Sequence, residues 1–190
     1  MAASRISAFL NSARKGLIAA TITVAALAFP LEASAKTYLV NGILSATAIG
    51  YGFKNLKAKI PNASLFLMVT GLEAGGIRKS IVEDIRKRHA ANPAEQFTLA
   101  GISKGADVVI GVARDVAAQG IPIRYIAIVE SSGGSLPGNV QRADNFVCAK
   151  KGGLCTQRPV GGANTIPIDT GHIDMGDHPR VHNSVIANAS

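Results

Sequence analysis

A serine that could act as a nucleophile stands between two glycines in the segment Gly101-Ile102-Ser103-Lys104-Gly105. A serine hydroxyl attacks a carbonyl carbon only when a base removes its proton and a tight turn exposes it, and flanking glycines permit such a turn. The pattern alone is common in a chain with 20 glycines, so the elements around it decide its meaning.

The elements on either side of Ser103 have the order that a nucleophilic turn requires. Residues 96–100 are mostly apolar and predict a short buried strand, and from Ala106 to Ala117 apolar residues recur at helical spacing until Gly120. A strand, a turn and a helix in this order predict that the Ser103 hydroxyl is presented at the end of a strand.

Apolar runs alternate with helical patterns along the rest of the chain. Strands are predicted at residues 37–40, 64–69, 125–129 and, more weakly, 144–148; helices are predicted at residues 77–89 and from Pro179 onward. The run at residues 64–69 is nearly unbroken, which predicts a strand buried on both faces. The alternation predicts an α/β fold, a three-layer sandwich with a mostly parallel central sheet of about five strands.

Ligands of open parallel sheets bind beyond the carboxyl ends of the strands. That edge is predicted to carry Asn41-Gly42-Ile43, Thr70-Gly71, Ser103 and Glu130. These residues form a candidate site before any family is considered.

The N-terminal segment has the layout of an export signal. Basic residues precede an apolar segment from Gly16 to Phe29, and Ala33-Ser34-Ala35 follows. Residues 1–35 are therefore predicted to be a secretory signal peptide cleaved after Ala35, although an uncleaved membrane anchor is an alternative. Residues 36–190 then form a single domain that is secreted or periplasmic, without stable membrane insertion after cleavage.

The net charge of +8 does not predict a nucleic-acid partner, because the basic residues are dispersed and lack interleaved aromatic residues. No glycine-rich nucleotide motif follows a strand, so no cofactor is predicted. Export would oxidise Cys148 and Cys155, which predicts a disulfide; metal ligation is an alternative, but no metal is expected, since His172 and His178 lack zinc spacing. The oligomeric state stays open.

The order of these features resembles small, lidless α/β-hydrolases, and most closely the cutinase-like secreted esterases. In that family a Gly-x-Ser-x-Gly-Ala segment is followed by two cysteines with six residues between them, a histidine loop and a terminal helix. The counterparts here are residues 101–106, Cys148 with Cys155, His172 and the segment from Pro179. The resemblance covers residues 36–190 and implies a serine esterase with an acyl-enzyme mechanism.

The catalytic acid departs from the family pattern. In cutinases it lies four residues after the first cysteine, where this chain has Gly152. Some lipases place the acid at the end of the strand after the nucleophile, and Glu130 occupies that place. Asp144 and Asp169 are the alternatives.

The histidine that accepts the serine proton must lie on a loop at the same edge. His172 follows Thr170-Gly171 and is the first choice, and His178, beside a helix start, is its rival. His182 and His89 fall within predicted helices and are expected to be structural.

Backbone N–H groups of Lys104 and Ile43 are predicted to bind the oxyanion. The Lys104 side chain is expected to point to solvent or pair with Asp107, since a free cation would disfavour an imidazolium. Two functions follow: a secreted serine hydrolase acting on small or polymeric esters, or an inactive binding or structural domain with the same fold.

Overall fold

The computed structural model describes residues 35–46, 52–150 and 154–189. The predicted signal peptide lies outside these ranges except for its last residue, and Gly152 also lies outside them. None of the helices in the described ranges is long and apolar enough to cross a membrane.

Strands and helices alternate along the described chain. The strands are β1 Ala35–Val40, β2 Ala63–Phe66, β3 Gln96–Ile102, β4 Tyr125–Val129, β5 Gly134–Ser135, β6 Ala143–Cys148, β7 Val160–Gly161 and β8 Asn164–Ile168. The helices are α1 Lys54–Lys59, α2 Ala74–Ala91, α3 Lys104–Ala117 and α4 Pro179–Ala187, and a 3₁₀ helix spans His172–Asp177.

Six strands form one parallel sheet in the order β2-β1-β3-β4-β6-β8, and β5 pairs with β7 in a separate short ribbon. The predicted α/β fold with a parallel central sheet is confirmed. The sheet has one strand more than expected, because β8 (Asn-Thr-Ile-Pro-Ile) is mostly exposed and has no continuous apolar run. Pro167 cannot donate to a ladder, which suits β8 to its position at the sheet edge.

Apolar side chains alternate between the two faces of the sheet and form two cores. Tyr38 belongs to the core beneath α2 and α3, while the next residue, Leu39, belongs to the core that includes Leu56 of α1 and Val181 of α4. Helices therefore cover both faces, which gives the three layers that the sequence predicts.

The strand predicted at residues 64–69 differs from the observed β2. β2 ends at Phe66, and its residues 64–66 are only half-buried. The expectation of burial on both faces was wrong because β2 lies at the edge of the sheet, where an apolar run has fewer neighbours. The central strand β4 fits that expectation instead, since all five of its residues are buried.

Candidate active site

Ser103 occupies a strained turn between β3 and α3. Its φ of 55° and ψ of −125° lie where side chains are disfavoured, and its N–H donates to the Val129 carbonyl oxygen at 2.8 Å. The side chain is half-buried. The turn therefore holds the hydroxyl just past the carboxyl end of β3, as the motif predicts.

The two glycines that flank Ser103 are required by close packing. A Cβ on Gly101 would lie closer than 3.0 Å to the Gly105 carbonyl oxygen, and one on Gly105 would lie as close to the Val40 carbonyl oxygen. The helix α3 thus begins in direct contact with the backbone of β1, and only glycine permits that approach.

Glu130 stands at the end of the neighbouring strand. Ile102 pairs with Val129 in the sheet, so Ser103 and Glu130 are the first residues beyond that pair. Like Ser103, Glu130 has a positive φ, 54°, and its N–H donates to the Phe146 carbonyl oxygen at 3.0 Å. Two strained non-glycine residues therefore lie side by side at one edge of the sheet.

The Glu130 carboxylate is buried and accepts hydrogen bonds at both oxygens. Oε1 accepts from the Cys148 N–H at 2.7 Å, and Oε2 accepts from the Thr156 N–H at 2.6 Å and the Thr156 hydroxyl at 3.3 Å. Such a set of donors stabilises the ionised form of a buried carboxyl group.

The structure brings His172 to this carboxylate. Nδ1 of the buried His172 ring lies 3.6 Å from Oε2 of Glu130 and makes no shorter polar contact within the described residues. Burial alone would raise the pKa of Glu130, but the neighbouring His172 and the N–H groups of Thr156 and Cys148 outweigh burial and hold that pKa below its usual value. Glu130 is therefore ionised at neutral pH and faces the ring nitrogen.

The other two candidate acids lie elsewhere. Asp144, near the start of β6, accepts a hydrogen bond from the Tyr125 hydroxyl at 2.8 Å, and Tyr125 is the first residue of β4. This places Asp144 toward the amino ends of the strands, opposite the edge of Ser103. Asp169 is exposed, and of the three carboxylates only Glu130 forms a described ion pair with His172.

The remaining histidines have structural contacts. His178 caps α4, accepting the Arg180 N–H on Nδ1 at 3.1 Å. In the buried His182, Nε2 lies 2.9 Å from the Gly176 carbonyl oxygen, and burial lowers its pKa. His182 also lines a cleft of about 480 Å³ that Ser103 does not line. His89 lies in the last turn of α2.

The two residues predicted to supply oxyanion donors lie at the start of α3 and on the loop after β1. Lys104 is the first residue of α3, so its N–H has no acceptor four residues earlier in the helix. A Cβ on Gly71 would lie 3.1 Å from Cδ1 of Ile43 and 4.0 Å from Cγ of Lys104. The loops after β1 and β2 therefore meet the start of α3.

The Lys104 side chain pairs with an acid, which is one of the two arrangements expected for it. Its Nζ lies 3.8 Å from Oδ2 of Asp107. Asp107 also accepts the Ser132 N–H and hydroxyl, each at 2.9 Å, and so links α3 to the loop after β4.

Sequence reasoning missed Thr156 but predicted the cysteine pairing, which the structure contains. The Thr156 contact with Glu130 spans 26 positions, and no motif spacing indicates it. The only sequence signal is that Thr156 directly follows Cys155, which is disulfide-bonded to Cys148 as predicted.

No protein-family model and no curated protein matches the sequence. Solved structures do match. A YdeN-like hydrolase from Pectobacterium atrosepticum has 12% identity, covers 82% of this chain and 91% of that chain, and has a TM-score of 0.55. A type II thioesterase of the yersiniabactin pathway, YbtT, has 10% identity over 83% and 94%, with a TM-score of 0.54.

A cutinase-like protein from Cryptococcus sp. is also similar, with 18% identity, but the match spans only 53% of this chain and 55% of that one, with a TM-score of 0.38. The chain thus covers about half of that protein's length. The two longer matches carry the comparison, and at these identities they show the fold: the protein has the α/β-hydrolase fold.

Proposed function

We propose that the protein is a serine hydrolase that cleaves esters or thioesters through an acyl-enzyme intermediate. Ser103 is the nucleophile, His172 the general base and Glu130 the acid that orients His172. The observation that carries the proposal is the buried Glu130 carboxylate 3.6 Å from Nδ1 of His172, at the end of the strand next to the one that presents Ser103.

The reaction follows from these three roles. Ser103 Oγ attacks the acyl carbon while Nε2 of His172 takes its proton, and the Glu130 carboxylate stabilises the imidazolium. The tetrahedral intermediate expels the alcohol or thiol, which takes the proton from His172. Water then attacks the acyl carbon while His172 takes its proton, and His172 returns that proton to Oγ of Ser103 as the carboxylic acid leaves.

The oxyanion of each intermediate is bound by the backbone N–H groups of Lys104 and Ile43. Preorganised donors of this kind lower the barrier by roughly 3 to 4 kcal/mol each. The ion pair of Lys104 with Asp107 supports His172 as the base, because it offsets the lysine charge that would otherwise disfavour a nearby imidazolium.

Exposed apolar side chains indicate the acyl side of the substrate. Among the described residues, the exposed large apolar side chains all lie in segments that follow the carboxyl end of a sheet strand, the same edge as Ser103. These residues are Ile43, Leu44, Val69, Leu72, Leu154 and Ile173. An apolar rim around an open site suits an acyl chain or a hydrophobic polymer surface.

A thioester is included because one solved structure with the same fold is a thioesterase. Export by a signal peptide at residues 1–35 is part of the same proposal, and the Cys148–Cys155 disulfide is consistent with an oxidising compartment outside the cytoplasm.

The alternative is an inactive binding or structural domain with the same fold. In the sequence, two features support this alternative: the glycine at the position of the cutinase acid and the charged side chain of Lys104. The contact of Glu130 with His172 favours the catalytic proposal, because a carboxylate from another strand can take over that role.

A fluorophosphonate probe tests the assignment. The mature protein should be labelled at Ser103, and Ser103→Ala should lose both labelling and p-nitrophenyl ester turnover while its melting temperature changes little. Ser80→Ala, an exposed serine on α2, is the matched control and should behave as wild type. Equal labelling or turnover in wild type and Ser103→Ala would rule out Ser103 as the nucleophile.

A further inference from the structure

The two backbone groups that hold the Glu130 carboxylate are joined by the disulfide. Oε1 accepts the N–H of Cys148 itself, at 2.7 Å, and Oε2 accepts the N–H of Thr156, the residue after Cys155, at 2.6 Å. One donor belongs to the sheet, at the end of β6, and the other belongs to a loop. The disulfide connects the two.

The Thr156 N–H binds the Glu130 oxygen that faces the histidine. Oε2 is the atom that lies 3.6 Å from Nδ1 of His172, so the Thr156 N–H and the histidine face the same carboxylate oxygen. If the loop moved away, only the Cys148 N–H would remain, and it binds the other oxygen. The carboxylate could then rotate about its terminal bond, a torsion with a broad energy minimum.

Weaker contacts also hold the loop. The Thr156 hydroxyl lies 3.0 Å from the Ser131 carbonyl oxygen and 3.3 Å from Oε2 of Glu130, so its single proton is shared. The Gln157 side-chain amide donates to the Cys148 carbonyl oxygen at 2.8 Å. Thr156 and Gln157 are themselves exposed, and water competes for such bonds, so the disulfide is the cross-link that ties this loop to β6.

We propose that the Cys148–Cys155 disulfide and Thr156 are positioning elements for Glu130, which hold Oε2 toward His172 and are therefore required for full catalytic rate. The inference rests on the proposed roles of His172 and Glu130. It assigns a function to the disulfide beyond stabilising the fold.

Removal of the disulfide is the first test. In Cys148→Ala/Cys155→Ala, kcat for a p-nitrophenyl ester should fall about 10- to 100-fold with KM unchanged, less than the roughly 10⁴-fold that a misoriented histidine costs a serine triad. Dithiothreitol, which reduces the disulfide to two thiols and is itself oxidised, should produce the same loss in wild type. It should have no further effect on the double variant.

Substitution of Thr156 is the second test, and it tests the positioning role even if the double cysteine variant does not fold. Thr156→Val removes only the hydroxyl and should lower kcat about threefold to tenfold, whereas Thr156→Ser should restore it. Thr165→Val, on the exposed edge strand β8, is the matched control and should keep the wild-type kcat.

A measurement without turnover separates this inference from the proposed function. The ¹³C resonance of the Glu130 carboxyl carbon, assigned with Glu130→Gln, should titrate at a higher pH after reduction, because the N–H donors that stabilise its ionised form fall from two to one. An unchanged titration and an unchanged kcat after reduction would overturn the positioning role while Ser103-dependent hydrolysis stood. If Ser103→Ala hydrolysed the ester as fast as wild type, the proposed function itself would be overturned.

Discussion

Replacement of Glu130 by glutamine tests the electrostatic part of the site. In Glu130→Gln the side chain keeps its size but loses its charge. In the proposed mechanism the substitution destabilises the ground state little, because a general base must be neutral before it accepts a proton. It destabilises the transition state more, because His172 then carries the proton taken from Ser103.

The distance sets the size of the effect. Two unit charges separated by the 3.6 Å between Oε2 and Nδ1 interact by about 4 to 5 kcal/mol at an effective dielectric constant near 20. Since each 1.36 kcal/mol is a tenfold change in rate, kcat should fall about 10³-fold. The amide has one oxygen for two N–H donors, so one donor loses its acceptor and unfolding should become easier by about 1 to 3 kcal/mol.

The assay is steady-state hydrolysis of a p-nitrophenyl ester at pH 7.5, at a temperature where chemical denaturation shows every variant folded. Asp169→Asn is the matched control, since it makes the same chemical change at an exposed carboxylate three positions from His172, and kcat should stay within twofold of wild type. If Glu130→Gln retained more than a tenth of kcat while Asp169→Asn lost a hundredfold, the identification of the acid would be wrong.

Further predictions concern packing, strain, substrate contact and pH. Gly105→Ala should lower the free energy of unfolding by about 3 kcal/mol, because its Cβ meets the β1 backbone. Gly76→Ala, which has open space around its Cβ, should not destabilise the protein. Urea titrations measure both variants. Ser103→Gly should be about 1 kcal/mol more stable than Ser103→Ala, since both lack the hydroxyl and only glycine relieves the positive φ. Leu72→Asp should raise KM for octanoyl esters several-fold but not for acetyl esters, because Leu72 is 90% exposed on the rim. The pKa of Glu130 is lowered in the folded state. Its contribution to stability is therefore complete above the unfolded pKa near 4.3 and is lost as the pH falls through the folded pKa. The urea midpoint should consequently fall less steeply with decreasing pH in Glu130→Gln than in wild type.

The sequence predicts the central strands and the turn at Ser103 because their signals are local. β4 is five consecutive buried residues, and the helix after Ser103 has its apolar positions at helical spacing. β8 carries no such signal: three of its five residues are exposed and one is proline. Its place in the sheet depends on pairing with β6, which is a tertiary interaction that a local sequence pattern does not show.

The same distinction applies to the site. Glu130 could be proposed from the sequence because it directly follows the strand after Ser103, and the carboxyl ends of parallel strands lie at one edge of a sheet. The hydrogen bonds that hold its carboxylate come from residues 18 and 26 positions away. No spacing rule connects positions so far apart, so the role of the loop after Cys155 emerges only when the strands are assembled.

Backbone strain in this protein is concentrated at one edge of the sheet. Within the described ranges four non-glycine residues have positive φ, namely Leu44, Ser103, Glu130 and Gln157, and each lies on a loop beyond the carboxyl end of a sheet strand. Such conformations cost about 1 to 3 kcal/mol each and persist only where the surroundings over-determine them.

At Ser103 and Glu130 the ladder supplies that support. Their N–H groups donate to the Val129 and Phe146 carbonyl oxygens on the adjacent strands, which continues the sheet bonding one residue past each strand. Two of the four strained residues, Ser103 and Glu130, are therefore held by rigid strands, and these are the two that the proposed mechanism needs to be placed most accurately. Backbone strain of this kind clusters at functional sites, which supports a functional role for this edge of the sheet.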